Sequence, residues 1–410
     1  MDSVTKINRD SPHDVILDEH GVLEGECLIY VGPEPWEGLW RNRHQLMSRF
    51  AKKNIVFYVE PRLSIKKLFR GVTEGTISFK DIFHKSFSVT KDGVHVYHSP
   101  KWLPVTEKPL LKQITDFGWK WMLRHKAREM GAGRPIVWLS RPEMVRLKGK
   151  LGEKLLVYHV VDEYLGYYGL SEKGKRELVG MERQLLHSAD VVIVVSPNLM
   201  KSKSPFNKNT FLVPNAVDFE AFANAKRDVL HDVPRPIVGY SGLIGNRLDI
   251  ELLISMADER PEWSFVFVGE VVEARCVQQM SELKKKKNTY FIGRKNIEEV
   301  PSYVGSFDVG IIPYKVDLQS ENVSPLKIYE YMAAGIPVVT SNFNVALEFD
   351  DVVHVCSGVK KMGVAIQECI EKSPDVTARV YKGVIKASEN TWNHRISYIS
   401  KILRYNDAVG

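Results

Sequence analysis

With 410 residues the chain is too long for one ordinary core and suits two domains of about 200 residues each. Its 44% hydrophobic and 26% charged content is ordinary for a globular protein, and no run approaches the roughly 18 apolar residues that cross a bilayer. The four cysteines (Cys27, Cys276, Cys356 and Cys369) are scattered without a CxxC pair, which argues for reduced thiols rather than a disulfide frame or zinc site. The net charge of +7 is uneven: residues 36–154 hold 25 lysines and arginines against 10 acids. Such a local excess attracts an anion, whether a membrane surface, a lipid pyrophosphate or a nucleic acid. The polar opening of the chain lacks an apolar signal core, which predicts a cytoplasmic protein.

Short β-branched runs alternate with helical stretches along the whole chain, the pattern of βαβ units and parallel sheets. The first series of predicted strands is 26–32, 54–60, 94–99, 135–140, 155–161, 191–196 and 210–214, with helices at 39–53, 109–130 and 172–188 between them. The second is 237–242, 264–269, 289–293, 309–314, 337–341 and 352–357. Continuous apolar runs without alternation imply strands covered on both faces. The polar segment 219–236, with Pro234 and Pro236 near its end, is the predicted linker between an N-terminal domain (1–218) and a C-terminal one (237–384). The stretch 375–405 reads as one helix. The fold class is therefore α/β, with two Rossmann-like parallel-sheet domains and a cleft between them as the default site.

The strongest chemical signal is 324–341, SPLKIYEYMAAGIPVVTS. Ser324 suits an N-cap and Pro325 the first turn, followed by Leu326, so a helix starts there and offers free N–H groups to a phosphate. Lys327 lies in the first turn. Glu330, one turn on, is placed to accept two vicinal hydroxyls. Gly335 predicts a left-handed helix end, and Pro337 forbids continuation. A nucleotide diphosphate with its ribose fits that set.

On these residues the chain resembles the retaining GT-B glycosyltransferases of family 4, especially the exopolysaccharide and teichuronic-acid branch. VPNAVD (213–218), GYSGLIGNRLDIELL (239–253) and TWNHR (391–395) extend the likeness over about residues 210–400. The resemblance implies a GT-B fold whose C-terminal helix, about 385–410, packs back on the N-terminal domain. It also implies donor binding by the C-terminal domain, with Glu330 on the ribose, and retention of anomeric configuration. An acidic residue expected eight positions before Glu330 is replaced by Asn322, with Glu321 beside it, and both join the donor set. Arg247 and Lys327 are the candidates to clamp the diphosphate. Arg294 and Tyr314, at strand ends, are further donor contacts. No cofactor or metal is expected: no DxD-like pair stands at a strand end, since Asp350-Asp351 precedes one. The donor is a nucleotide-diphosphate sugar, with a UDP-sugar favoured.

In the N-terminal half, the loop 32–45 (GPEPWEGLWRNRHQ) is too aromatic for a solvent turn. Trp36, Gly38, Arg41 and Arg43 are its candidate acceptor contacts, while His44 reads as a packed helix residue or a further contact. Asp162 and Glu163 follow a strand, where either serves as a general base or as a helix cap and surface charge. The base reading keeps an inverting, glucuronosyltransferase-like route open. Phe69, Phe83, Trp102, Leu103, Trp119 and Trp121 lie among the basic residues. They suit either a core or an anionic membrane interface.

The expected function is transfer of a sugar to a hydroxyl of a lipid-linked saccharide in surface-polysaccharide synthesis, at the inner face of the membrane. A sugar-nucleotide 2-epimerase and a non-catalytic sugar-nucleotide-binding subunit are the rival readings. Nucleic-acid binding ranks last, because no helix-turn-helix, RNP or zinc pattern is present.

Overall fold

A computed structural model describes residues 21–409 apart from 79, 81–86, 107, 132, 165–170, 273–275, 318–323 and 325. The chain divides into two compact units: residues 1–161, 168–213 and 396–410 form the first, residues 162–167 and 214–395 the second.

The first unit is built on an eight-stranded sheet. Its strands are β1 (Cys27–Val31), β2 (Ile55–Val59), β3 (Phe87–Val89), β4 (His95–Tyr97), β5 (Ile136–Leu139), β6 (Leu155–Val160), β7 (Val191–Val194) and β8 (Thr210–Leu212). Their order is β3-β4-β2-β1-β5-β6-β7-β8, all parallel except the antiparallel edge strand β3. β3 was not anticipated; only its pairing with β4 across the turn ending at Gly93 makes it a strand. The second unit holds β9 (Ile237–Ser241), β10 (Ser264–Val268), β11 (Thr289–Gly293), β12 (Val309–Ile312), β13 (Val338–Ser341) and β14 (His354–Cys356). Their order, β11-β10-β9-β12-β13-β14, is the doubly wound one. β9, β10 and β12 are buried at every position, as strands with helices on both faces require.

The α/β expectation with two Rossmann-like sheets is met. Two details differ. Residues 219–236, read as a linker, pack into the second unit: Phe222 and Leu230 join its hydrophobic core, and a short helix spans Phe219–Ala223. A polar stretch with prolines looks like a spacer in sequence, but Phe219, Val229 and Val233 also pack, partly buried, against that core. The C-terminal stretch read as one helix is two, Pro374–Glu389 and Trp392–Val409. They part where Val217 pairs with the chain: its N–H donates to the Asn390 carbonyl (3.1 Å) and its carbonyl accepts from Trp392 (3.2 Å). Residues 396–410 belong to the first unit, where Ser400 Oγ accepts from the Leu23 N–H (2.9 Å) and Lys154 pairs with Asp407 (2.6 Å).

The first unit carries two buried neutral histidines with a consequence for stability. Burial, followed by the charge of Arg43, lowers His44 to about 4. Burial lowers His159, which meets the edge of Trp138, to about 3. Below about pH 6.5 the unfolded chain binds protons that the folded one refuses, so stability falls as pH drops from 6.5 toward 4. Each group is expected to withdraw about 2 kcal/mol between pH 6.5 and 5. Urea unfolding at both pH values checks this, and His159→Phe should flatten the dependence.

Candidate functional site

In a doubly wound sheet the ligand crevice opens beyond the strand C-termini where the order reverses. In the second unit that point lies between β9 and β12, because β10 and β11 extend to one side of β9 and β12 to β14 to the other. The loop after β9 carries Arg247. It is tied to the end of β12: Leu248 bridges Tyr314, the Asp249 N–H donates to the Pro313 carbonyl (2.8 Å) and Lys315 donates to the Arg247 carbonyl (2.9 Å). The Asp249 side chain then caps helix Ile250–Glu259. Lys327 enters from the first turn of helix Leu326–Ala333, which connects β12 to β13.

These elements bring Arg247, Lys327 and Tyr314 together. The Lys327 ammonium stands 5.3 Å from the ring centre of Tyr240 and 6.0 Å from that of Tyr314; the Arg247 guanidinium is 5.9 Å from the Tyr314 ring. Glycine makes this approach possible. A Cβ at Gly242 would lie 2.6 Å from Lys327 Cε, and one at Gly269 only 1.9 Å from the Gly242 carbonyl oxygen. Burial alone would raise the Tyr314 phenol, but the charges of Lys327 and Arg247 outweigh it and hold it below its usual value. Burial and the neighbouring Tyr314 and Tyr331 push Tyr240 well up. The same two cations that hold the Tyr314 phenol below its usual value would also attract an anionic ligand. Glu330 lies one turn beyond Lys327; burial raises its carboxyl, and Lys327 partly offsets this. The helix ends as expected, with Gly335 at φ +66° and the Ile336 N–H reaching back to the Tyr331 carbonyl (3.2 Å).

Other sequence candidates fall differently. Ser324 stands just before the helix: its Oγ accepts from the Asn215 N–H (3.1 Å), and its carbonyl accepts from the Asn215 side chain (2.7 Å). The hydroxyl is buried and ties VPNAVD to the helix start. Arg395 completes this junction, donating to the Pro214 carbonyl (2.9 Å) and Asn390 Oδ1 (2.5 Å) and lying beside Tyr329. Three motifs distant in sequence thus meet in one place. Leu326 is the first residue of the helix and half-buried. Arg294 is exposed at the end of the edge strand β11, two strands from β9. Glu321, Asn322 and Pro325 lie outside the described residues. Asp162 belongs to the second unit, and its carboxylate stands 3.6 Å from Arg247. Its other oxygen accepts from the Glu163 N–H (3.0 Å), and Glu163 is half-buried.

In the first unit the acceptor-loop candidates divide. Trp36 and Arg43 are buried and hold the loop together, so they offer no open surface. The Trp36 ring packs edge-on against His44 and Tyr58, and the Trp36 backbone N–H donates to Glu60 Oε1 (2.9 Å). Arg43 pairs with Glu34 at 2.8 Å. His44 is packed, with Nδ1 accepting from the Arg41 N–H and Nε2 donating to the Trp36 carbonyl, 2.9 Å each. Gly38 has open space on its Cβ side, and Arg41, loosely paired with Glu34 (3.4 Å), is partly exposed. The first unit has its own reversal point, between β1 and β5. A cavity of about 300 Å³ lies there, lined by Gly32, Arg62, Lys120, Arg141, Glu143 and Arg146 among others. Arg62 is held by Asp116 and by the carbonyls of Leu103 and Pro104. The sequence reading missed these basic residues; the signal was Arg141 directly after the predicted strand 135–140. Among the described residues no cluster of histidine, cysteine and acidic side chains that could hold a metal ion occurs.

Residues 211–349, which contain β9 to β13 and the Arg247–Lys327 cluster, match the family model for glycosyl transferases group 1. Together with the two sheets, this match makes the chain similar to the group 1 glycosyl transferases over that segment, and its fold is GT-B. TuaH of Bacillus subtilis (strain 168), named for teichuronic acid biosynthesis as a glycosyltransferase, is 30% identical over 181 residues, which span 42% of this chain and 45% of that relative. Sucrose-phosphate synthase from Thermosynechococcus elongatus shares the fold with a TM-score of 0.70 at 15% identity, covering 94% of this chain and 100% of the other. HepE of Anabaena in complex with UDP does so at 0.63 and 15%, covering 94% and 99%. Among the described residues no helix is long and apolar enough to cross a membrane.

Proposed function

We propose that the chain moves a sugar from a nucleotide-diphosphate sugar to a hydroxyl of a saccharide acceptor, with the second unit holding the donor. The observation that carries this reading is the convergence of Arg247 and Lys327 on Tyr240 and Tyr314 where the sheet order reverses. Departure of a nucleotide diphosphate builds negative charge on its terminal phosphate. Two cations and the amino end of helix Leu326–Ala333 compensate that charge without a metal. Glu330, one turn further on, serves the ribose hydroxyls. HepE, in structures with UDP and with UDP-glucose, supports a nucleotide-sugar donor, and a UDP-sugar is the first choice.

The acceptor is a lipid-linked saccharide in surface-polysaccharide synthesis, a reading supported by the name of TuaH and by the basic cavity at the β1–β5 reversal point. The reaction runs with retention: Asp162 faces Arg247 and acts as its counter-ion until the donor arrives, which leaves it poorly placed as a base. The enzyme works at the cytoplasmic face of the membrane.

A thermal-shift panel of UDP-, GDP-, ADP- and dTDP-sugars tests the donor. The right nucleotide at a hundredfold excess over its Kd should stabilise the fold by about 2.7 kcal/mol. A panel with no shift would sink the reading. Proton NMR of the product reports the anomeric configuration, and inversion would return Asp162 or Glu163 to the role of base. Conversion of the donor sugar without acceptor would identify an epimerase instead.

A further inference from the structure

The first unit exposes apolar surface that its fold does not use. In helix Pro109–Glu129, Thr115, Trp119, Leu123 and Ala127 are buried and pack toward the unit. Leu110, Ile114, Phe117 and Trp121 repeat at spacings of four, three and four. At about 100° per residue they form one stripe on the opposite side of the helix. All four are 58–74% exposed. The cations Arg124 and Arg128 continue the stripe toward the helix end, and Lys112, Lys120 and Lys150 line the wide groove beside it.

A second helix adds to this surface. In Ile65–Thr73 only Gly71 is buried, while Phe69 and Val72 project outward among Lys66, Lys67 and Arg70. The two helices start from one anchor. Ser64 and Val105 form a parallel bridge, the Ile65 N–H donates to the Val105 carbonyl (2.9 Å), and Arg62 pairs with Asp116 of the longer helix. Exposed Trp102 lies just before that anchor on the chain. The large apolar residues of the basic stretch thus divide: Leu103 and Trp119 are core, whereas Phe69, Trp102 and Trp121 face outward, and Phe83 lies outside the described residues.

We infer that the outer faces of helices Ile65–Thr73 and Pro109–Glu129 form one surface that seats on an anionic lipid bilayer. A protein partner would match an apolar patch with apolar or acidic side chains; here the apolar stripe is rimmed almost wholly by cations, the chemistry of an interfacial helix on acidic headgroups. The aromatic rings and aliphatic side chains enter the boundary of the acyl chains while the lysines and arginines meet phosphate. This deepens the reading of an enzyme that works at a membrane, and it rests on that reading for its purpose only.

Co-sedimentation of the full chain with vesicles tests it. At 0.1 M salt the chain should pellet with phosphatidylcholine vesicles containing about 30 mol% phosphatidylglycerol and bind pure phosphatidylcholine at least tenfold more weakly. Substituting Leu110→Ser, Phe117→Ser and Trp121→Ser together should cut binding to the acidic vesicles on the order of 100-fold. These side chains are exposed, so the nucleotide thermal shift of the second unit should survive, which separates a failure here from a failure of the donor reading. Absence of pelleting, or a triple variant that binds as well as the parent, would overturn the inference. So would a dimer in analytical ultracentrifugation that the triple variant dissolves, because a second copy would then be the occupant.

Discussion

Replacing Lys327 by alanine is expected to lower kcat about 10²–10³-fold while moving the thermal midpoint by only a few degrees. Lys327 is half-buried, its ammonium meets tyrosine faces, and it only partly offsets the burial of Glu330, whose carboxyl can take up a proton when the amine is gone, so little charge is stranded. Its contribution concentrates at the moment of bond cleavage, when charge develops on the departing phosphate. Arg247→Ala should act in the same direction, and the two together should cost less than the product of the single losses if both serve one anion. Gly242→Ala gives an internal check. Its added methyl would sit 2.6 Å from Lys327 Cε on a backbone at φ +137°, so this substitution should lower kcat as Lys327→Ala does and, unlike it, also lower the thermal midpoint clearly. Glu330→Ala should raise KM for the donor more than it lowers kcat. An unchanged kcat in Lys327→Ala, measured with saturating donor, would remove the cluster from the reaction.

The second large effect is on stability. Lys203→Met is expected to destabilise the first unit by about 3–5 kcal/mol. Lys203 Nζ lies 2.9 Å from Glu182 Oε2, the Tyr158 hydroxyl donates to Glu182 Oε1 (3.1 Å), and both charged side chains are at most a tenth exposed. Removing the lysine strands a carboxylate in the interior, where water cannot repay its desolvation. The double variant Glu182→Leu/Lys203→Met removes both charges and should recover most of the loss. Urea unfolding of the parent, the singles and the pair gives the coupling. A single variant as stable as the parent would mean that solvent reaches this site.

The sequence by itself determined whatever depends on neighbouring residues. Short apolar, β-branched runs announced thirteen of the fourteen strands among the described residues, the exception being β3, which is defined by its partner β4. Helix Glu172–Ser188 was read to the residue, and the left-handed end at Gly335 followed from glycine before Ile336-Pro337. These are local steric and periodic properties, carried by each segment wherever it packs. The Ser324–Ser341 run could be read as a candidate site for the same reason, since its lysine and glutamate share one helix.

Only the tertiary structure decided which side chains were available. Trp36 and Arg43 looked like ligand contacts because aromatic and basic residues in a loop usually face outward, yet Glu34, Glu60 and Tyr58 draw them inward. Ser324 meets Asn215, more than a hundred residues away, a contact that no local pattern announces. Trp119 and Trp121, two positions apart, point to opposite fates, one in the core and one outward. The convergence of Arg247, Lys327 and Tyr314 depends on β12 pairing beside β9 rather than beside β11. Strand order and burial are set by contacts between segments distant in the chain, and a local pattern of residues does not encode them.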